Sequence, residues 1–222
     1  MLTFAQLPSH KPDFKVDNKY RKMPSKDVVE NTAKKLRENQ FKVDIVNTEK
    51  EALDLVIKSI PKESSVMNCG SVTLSEIGLL DYLKDDKHGW RNLHVAILNE
   101  KDPAKQTELR RFSMASDYFL CSLPAVTKEG VIYSCDASGS RTGAMPFAAK
   151  NVVCIVGTQK IVENDQEAER RIWDFCLPCE SVRSNYAYKV PGSQVQNLIR
   201  IANSNMAKER IHIIFVNKEL GY

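Results

Sequence analysis

The chain from Ser25 onward alternates two hydrophobic periods. Short runs rich in β-branched residues are separated by longer stretches in which apolar residues recur every three or four positions. The first pattern is typical of strands, and the second is typical of helices with one buried face. The alternation therefore predicts repeated βα units, an α/β fold in which a mostly parallel sheet carries helices on both faces.

Six segments have the composition of strands, namely residues 41–46, 64–68, 93–98, 117–121, 151–157 and 211–216. The segment 151–157, with the sequence NVVCIVG, is apolar almost throughout, as expected of a strand buried on both faces of a parallel sheet. Residues 126–135 instead predict an antiparallel hairpin, because the turn sequence Lys128-Glu129-Gly130 lies between two apolar runs.

Helix starts are marked by side chains that can accept hydrogen bonds from free backbone N–H groups. The predicted N-cap residues are Ser25, Thr48, Thr73, Asp102, Asn164 and Ser193. Thr73 is followed three positions later by Glu76, and Ser193 by Gln196, which is the spacing of a capping box. The helix that starts at Ser193 is expected to bury Ile199.

Composition limits the class of protein. The chain has 222 residues, 42% of them hydrophobic and 27% charged, so it can enclose an apolar core and is not a disordered chain. We divide it into an N-terminal arm, residues 1–24, and one domain, residues 25–222. Lys and Arg number 32 against 28 Asp and Glu, a formal charge of +4. Both signs are spread along the chain, so we expect neither nucleic acid nor an anionic membrane as a partner.

The expected location follows from the apolar runs and the cysteines. No apolar run approaches the roughly 20 residues that cross a bilayer, and residues 1–24 lack the apolar core of a secretory signal. The six cysteines are scattered through a chain that is large enough to fold without disulfides. We therefore expect a cytoplasmic protein with mainly buried thiols. The sequence leaves the oligomeric state open, a homo-oligomer included.

The first candidate site is the loop 68–73, which joins a predicted strand to a predicted helix. In open α/β sheets, ligands bind beyond the carboxyl ends of the strands, where helix N-termini favour anions. Gly70 lets a ligand approach the backbone, Ser71 offers a hydroxyl, and Thr73 and Glu76 begin the helix. The alternative is a turn that only caps this helix.

The second candidate site is the loop 136–143, between the hairpin and the long buried strand. Its small residues Ser138, Gly139 and Ser140 lie between Asp136 and Arg141. We interpret Arg141 as a bidentate clamp for an anionic substrate and Asp136 as an acid, a base or an orienting partner, which makes these two the candidate catalytic residues. Alternatively, the two residues form a pair that only holds the loop.

Two further features bear on the chemistry. Lys160 follows the long strand, so topology places it at the same sheet edge, where it adds a second positive charge or is merely solvated.

Cys176-Leu177-Pro178-Cys179 is a CxxC motif at the expected end of a helix, where the helix dipole does not activate a thiol. No histidine has the spacing that would complete a zinc site there. We therefore predict unreactive thiols, no metal and no evident cofactor.

The order of these motifs resembles the LUD-domain family of LutC/YkgG-type lactate utilisation proteins. The matching segments are GSVTLSEIGL at 70–79, AVTKEG at 125–130, DASGSRTGAMPF at 136–147, VVCIVGTQKIV at 152–162 and RIHIIFVNKELGY at 210–222. The resemblance implies a three-layer α/β/α fold like that of the NagB/RpiA/CoA-transferase superfamily. It also implies a part in the oxidation of L-lactate to pyruvate, together with iron–sulfur partner proteins.

The family motifs match several of the candidate positions. The first motif corresponds to Gly70, Ser71, Thr73, Glu76 and Gly78, and the second to Asp136, Gly139 and Arg141. Ala137 and Ser140 replace the usual glycine and asparagine of the second motif. These replacements favour a second hypothesis, a non-catalytic binding or scaffold subunit. A third, based on fold analogy, is a transferase or ligase acting on CoA, folate or sugar-phosphate substrates.

Overall fold

The computed structural model describes residues 1–222, apart from the side chain of Asp86. Within this described part, two sheets are built from ten strands. The strands are β1 (Lys42–Val46), β2 (Ser65–Asn68), β3 (Arg91–Asn92), β4 (Tyr118–Cys121), β5 (Ala125–Thr127), β6 (Ile132–Asp136), β7 (Asn151–Gly157), β8 (Ile161–Val162), β9 (Asn197–Ile201) and β10 (Ile211–Val216).

Helices connect these strands. They are α1 (Leu7–His10), α2 (Lys26–Glu38), α3 (Glu49–Ser59), α4 (Val72–Glu76), α5 (Leu79–Tyr82), α6 (Leu93–Asn99), α7 (Pro103–Ser113), α8 (Ser140–Gly143), α9 (Asp165–Arg171) and α10 (Leu177–Tyr188). A π-helical turn, Ile172–Cys176, joins α9 to α10, so that residues 165–188 form one continuous helical run.

The large sheet is entirely parallel, with the strand order β1-β10-β7-β4-β2-β3. Alternate residues of β7 explain why its sequence is apolar throughout. Val152, Cys154 and Val156 pack on the face that carries α2, α6 and α7, whereas Val153 and Ile155 pack on the face that carries α3, α4 and α5. The structure therefore has three layers, and it confirms the predicted α/β fold with helices on both faces of the sheet.

A second sheet has the strand order β8-β5-β6-β9. β5 follows β4 after three residues, and β8 follows β7 after three, so the small sheet stands beyond the carboxyl ends of two central strands. The pairing of β5 with β6 is antiparallel, which confirms the predicted hairpin. This arrangement places the small sheet at the carboxyl edge of the large one.

Two predicted elements are wrong in type. Residues 93–98 form helix α6, because the Asn92 side chain accepts a hydrogen bond from the N–H of His94 and starts a helix there. The predicted helix at Ser193 is strand β9, which pairs antiparallel with β6. Burial in β9 alternates along the strand, and Leu198 is partly exposed while Ile199 faces the core. Both short runs fit either period, and the available hydrogen-bond partners decide between them.

Two local predictions also need correction. Ser71, not Thr73, caps α4, because its hydroxyl accepts the N–H of Leu74. Thr73 lies within the helix, and Glu76 accepts the N–H of Gly221 instead of completing a capping box. The CxxC motif lies in the middle of the helical run 165–188 and not at its end.

The arm, residues 1–24, packs on the surface of α10 and the π-helical turn. Phe4, Leu7 and Tyr20 are buried against Phe175 and Cys179. The Phe4 and Phe175 rings stack with their centroids 5.5 Å apart. The arm thus covers a helical face that would otherwise expose apolar side chains.

We expect Gly157→Ala to destabilise the protein. A Cβ at Gly157 would lie 2.8 Å from the backbone N of Leu220 and from the backbone O of Lys218, atoms that cannot move without shifting the chain. Overpacking of this kind costs about 1–3 kcal/mol. Urea unfolding should show the loss. Gly143→Ala is the matched control, since no atom lies near its added Cβ, and equal midpoints for the two variants would contradict the prediction.

Candidate functional site

The candidate site lies at the carboxyl ends of β2, β4 and β7, three neighbouring parallel strands. Directly beyond these ends come the loop 69–71, Ser122 and the short 3-10 helix Thr158–Lys160. Parallel strands bring such loops to one edge, and ligands of open α/β sheets bind there. The location agrees with the one that the sequence predicts.

Lys160 is the most unusual side chain at this edge. It is 1% exposed, and its Nζ donates hydrogen bonds to Thr73 Oγ1 at 2.9 Å and to Ser122 Oγ at 3.0 Å. Among the described residues, no carboxylate lies within ion-pair distance of Nζ. Burial first, and then the positive charge of Arg171, lower the pKa of Lys160 to about 7. A buried amine therefore exchanges its proton near neutral pH.

Arg171 is a second buried cation, which the sequence analysis missed. It is fully buried, and its Nη1 donates to the backbone O of Pro124 and to Cys176 Sγ. Its Nε is buried without a hydrogen-bond partner, and the guanidinium lies 5.1 Å from the centroid of the Phe175 ring. One signal was present in the sequence, because helical spacing from Phe175 puts Arg171 on the buried face of the helix.

Arg141 joins the two predicted loops. Its Nη2 donates to the backbone O of Gly70 at 3.1 Å and its Nη1 to the backbone O of Cys135 at 3.3 Å. The Nε atom is buried and has no partner. Two of its donors thus meet carbonyls while the buried Nε–H is unsatisfied, which suits a guanidinium that has an anionic ligand to receive.

Asp136 organises the second loop through its carboxylate. It accepts the backbone N–H groups of Gly139 at 2.6 Å, Arg141 at 2.7 Å and Thr142 at 3.0 Å, and also Asn197 Nδ2 at 3.1 Å. It does not pair with the guanidinium of Arg141. Gly139 has φ +79°, a left-handed conformation that favours glycine in this turn. The geometry is that of an orienting residue, and a role of Asp136 in acid–base chemistry stays a prediction.

The remaining predicted residues fall into two groups. Ser71 and Glu76 belong to the edge that holds Lys160, and burial raises the pKa of the Glu76 carboxyl. Ser138 and Ser140 face α7 instead, where Arg110 Nη2 donates to their hydroxyls at 3.0 Å and 3.3 Å. The structure therefore brings Gly70 to Arg141 and Thr73 to Lys160, and it shows Ser138 and Ser140 bonded to an exposed arginine.

The CxxC thiols are buried. Burial raises the pKa of both Cys176 and Cys179, so neither is activated as a thiolate. Within the described residues, no group of three or more His, Cys, Asp or Glu side chains is arranged to hold a metal ion. The described helices also include none that is both long and apolar enough to span a membrane.

Comparisons with known proteins identify the family. The model of the LUD domain matches residues 29–216, so the chain belongs to the LUD-domain family, which is associated with lactate utilisation in general. A DUF162 family protein from Deinococcus radiodurans, known from a crystal structure, has a similar fold with a TM-score of 0.52. The two sequences are 12% identical, and the alignment covers 86% of this chain and 96% of the other. No curated protein matches the chain.

Proposed function

We propose that this protein is a LutC-type component of lactate utilisation that binds a small carboxylate, a 2-hydroxy or 2-oxo acid, at the site formed by the Gly70 loop, Arg141 and Lys160. In this proposal it works beside iron–sulfur partner proteins, which carry the electrons released when lactate becomes pyruvate. Membership of the LUD-domain family supports the metabolic assignment.

One observation carries the proposal. Three basic side chains, Arg141, Lys160 and Arg171, lie at the carboxyl edge of the sheet, two of them buried and one half-buried. Among the described residues, none of the three has a carboxylate within ion-pair distance. Basic groups that are buried without a carboxylate partner are costly to keep, and a cluster of them at one sheet edge is suited to receive an anion.

The geometry suggests how the acid is held. Arg141, whose Nε is free, takes the carboxylate, since a guanidinium binds a carboxylate through parallel N–H groups. Lys160 donates to the substrate hydroxyl or carbonyl oxygen in place of one of its present partners, Thr73 or Ser122. These hydroxyls then move the proton that the substrate hydroxyl loses.

We expect Arg141→Ala to weaken the binding of L-lactate and pyruvate by roughly ten- to hundredfold. A lost charged hydrogen-bond pair costs on the order of 1.5–3 kcal/mol, which corresponds to that change in affinity. A thermal-shift titration of the purified chain measures it, because a ligand that binds only the folded state raises the melting temperature.

Arg110→Ala is the matched control, since Arg110 contacts Ser138 and Ser140 on the exposed side of the loop. Equal losses in the two arginine variants would contradict the clamp. A shift with CoA, a folate or a sugar phosphate, and none with lactate or pyruvate, would favour a transferase. No shift with any of them would favour a scaffold subunit.

A further inference from the structure

We propose that Lys160 is a nucleophilic amine that captures the carbonyl carbon of a 2-oxo acid as a Schiff base, assisted by the hydroxyls of Thr73 and Ser122. This inference rests on the proposed function, because it takes the same site and the same class of acid. It adds a covalent bond between Lys160 and the acid, which membership of the family does not imply.

The three groups form a closed triangle. Nζ of Lys160 lies 2.9 Å from Thr73 Oγ1 and 3.0 Å from Ser122 Oγ, and the two hydroxyl oxygens are 3.3 Å apart. A hydroxyl can donate and accept a proton at once, so each can pass a proton between Nζ and an oxygen bound next to it. Schiff-base formation needs two such proton transfers, both to the oxygen that leaves the carbonyl carbon as water.

The electrostatic setting keeps the amine reactive. The ammonium form of a lysine has no lone pair, so nucleophilic lysines are desolvated or lie near other cations. Lys160 meets both conditions, and its pKa of about 7 leaves a large neutral share at physiological pH. Arg171 supplies the neighbouring positive charge, and Nζ of Lys160 is hydrogen-bonded to hydroxyls instead of being paired with a carboxylate.

The proposed step balances without an oxidant. The Lys160 ammonium first passes one proton to the Thr73 and Ser122 hydroxyls, and the Nζ lone pair then forms a bond to the C2 carbon of the oxo acid while the carbonyl oxygen takes up that proton. The nitrogen of the resulting protonated carbinolamine gives a second proton to the same oxygen, the C–O bond breaks, and water leaves. The product is a protonated imine that carries the single positive charge of the original ammonium, with the acid carboxylate directed to Arg141.

The segment Leu220–Gly221 lies against Nζ of Lys160. A Cβ at Gly221 would lie 3.5 Å from Nζ, so the backbone there lies against the amine. Gln159 Nε2 donates to the backbone O of Leu220 at 2.9 Å, and Glu76 accepts the N–H of Gly221 at 2.6 Å. For an oxo acid to reach Nζ from this side, Leu220 and Gly221 must move and these two hydrogen bonds must break.

Reductive trapping tests the inference. The full chain is incubated with pyruvate and sodium cyanoborohydride, and the products are digested and mapped by mass spectrometry. We expect one adduct per chain, on Lys160, that needs both pyruvate and the reductant. L-Lactate has no carbonyl group and should give none. Lys160→Met should abolish the adduct, whereas Lys128→Met, which removes an exposed lysine paired with Glu163, should not.

The outcomes separate this inference from the proposed function. Adducts spread over exposed lysines with none on Lys160 would overturn the Schiff base, even if pyruvate still raised the melting temperature in an Arg141-dependent way. In that case the carboxylate site would stand as a non-covalent one. An adduct on Lys160 that forms equally fast in Arg141→Ala would support the nucleophile and contradict the clamp. Because the adduct is mapped on the natural sequence, the result does not depend on the stability of the variants.

Discussion

Lys160→Met should be more stable than the natural protein near pH 7, and the difference should shrink as the pH rises toward 10. The folded-state pKa of Lys160 is about 7, well below the ordinary value of 10.5. Between these values the unfolded chain holds a proton that the folded chain lacks, so the free energy of unfolding rises with pH in this window. One pKa unit corresponds to about 1.4 kcal/mol, so the full window is worth up to about 5 kcal/mol.

Urea unfolding of both proteins from pH 6.5 to 9.5 measures this effect. Buried thiols also titrate at the alkaline end, but they are common to the two proteins and cancel in the difference. Lys128→Met serves as the control, because Lys128 is 40% exposed and should leave the pH dependence unchanged. Parallel curves for the natural protein and Lys160→Met would show that the amine is not desolvated in the folded state.

The predicted strands that are correct share one property. Residues 41–46, 64–68, 117–121, 151–157 and 211–216 all lie in the large sheet, and its central strands β7 and β10, buried along almost their whole length, are mainly apolar at consecutive positions. Long apolar runs of this kind have few alternative structures. The short segments at 93–98 and 197–201 carry mixed patterns. The adjacent Asn92 cap makes the first a helix, whereas pairing with the distant β6 makes the second a strand.

The position of the candidate site could be predicted from the sequence, but the burial of its side chains could not. Its position at the carboxyl edge follows from topology, which is why the Gly70 loop, Arg141 and Lys160 could be named in advance. The burial of Lys160 could not be predicted, since a single lysine in a sequence is ordinarily exposed to solvent. It depends on Thr73, in the first turn of α4, and on Ser122, directly after β4, which meet Nζ only in the folded chain.

The positions of the small residues in the second loop show the same limit. Ser138 and Ser140 lie in the sequence motif that contains Arg141, yet their hydroxyls face Arg110 of α7. The direction of a side chain in a tight turn depends on its backbone conformation, and Gly139 at φ +79° redirects the chain between them. A motif thus identifies the loop without showing which of its side chains face a ligand.

Asp136→Ala should lower the free energy of unfolding by about 3 kcal/mol, because hydrogen bonds to a charged acceptor contribute about 1.5–3 kcal/mol each and are not additive. Three backbone N–H groups, those of Gly139, Arg141 and Thr142, would lose their acceptor together. Asp136→Asn keeps one carboxamide oxygen and should lose less. Urea unfolding at pH 7 measures both variants.

The same pair of variants separates orientation from acid–base chemistry at Asp136. If the carboxylate only orients the loop that carries Arg141, pyruvate affinity should fall in step with stability and recover largely in Asp136→Asn. Asp165→Ala is the control, since it removes a carboxylate that pairs with the exposed Arg200. A loss of lactate oxidation in Asp136→Asn that exceeds its loss of pyruvate affinity, measured with the proposed iron–sulfur partner proteins present, would instead assign Asp136 to proton transfer, because the amide oxygen keeps part of the hydrogen bonding but the group cannot take up the proton.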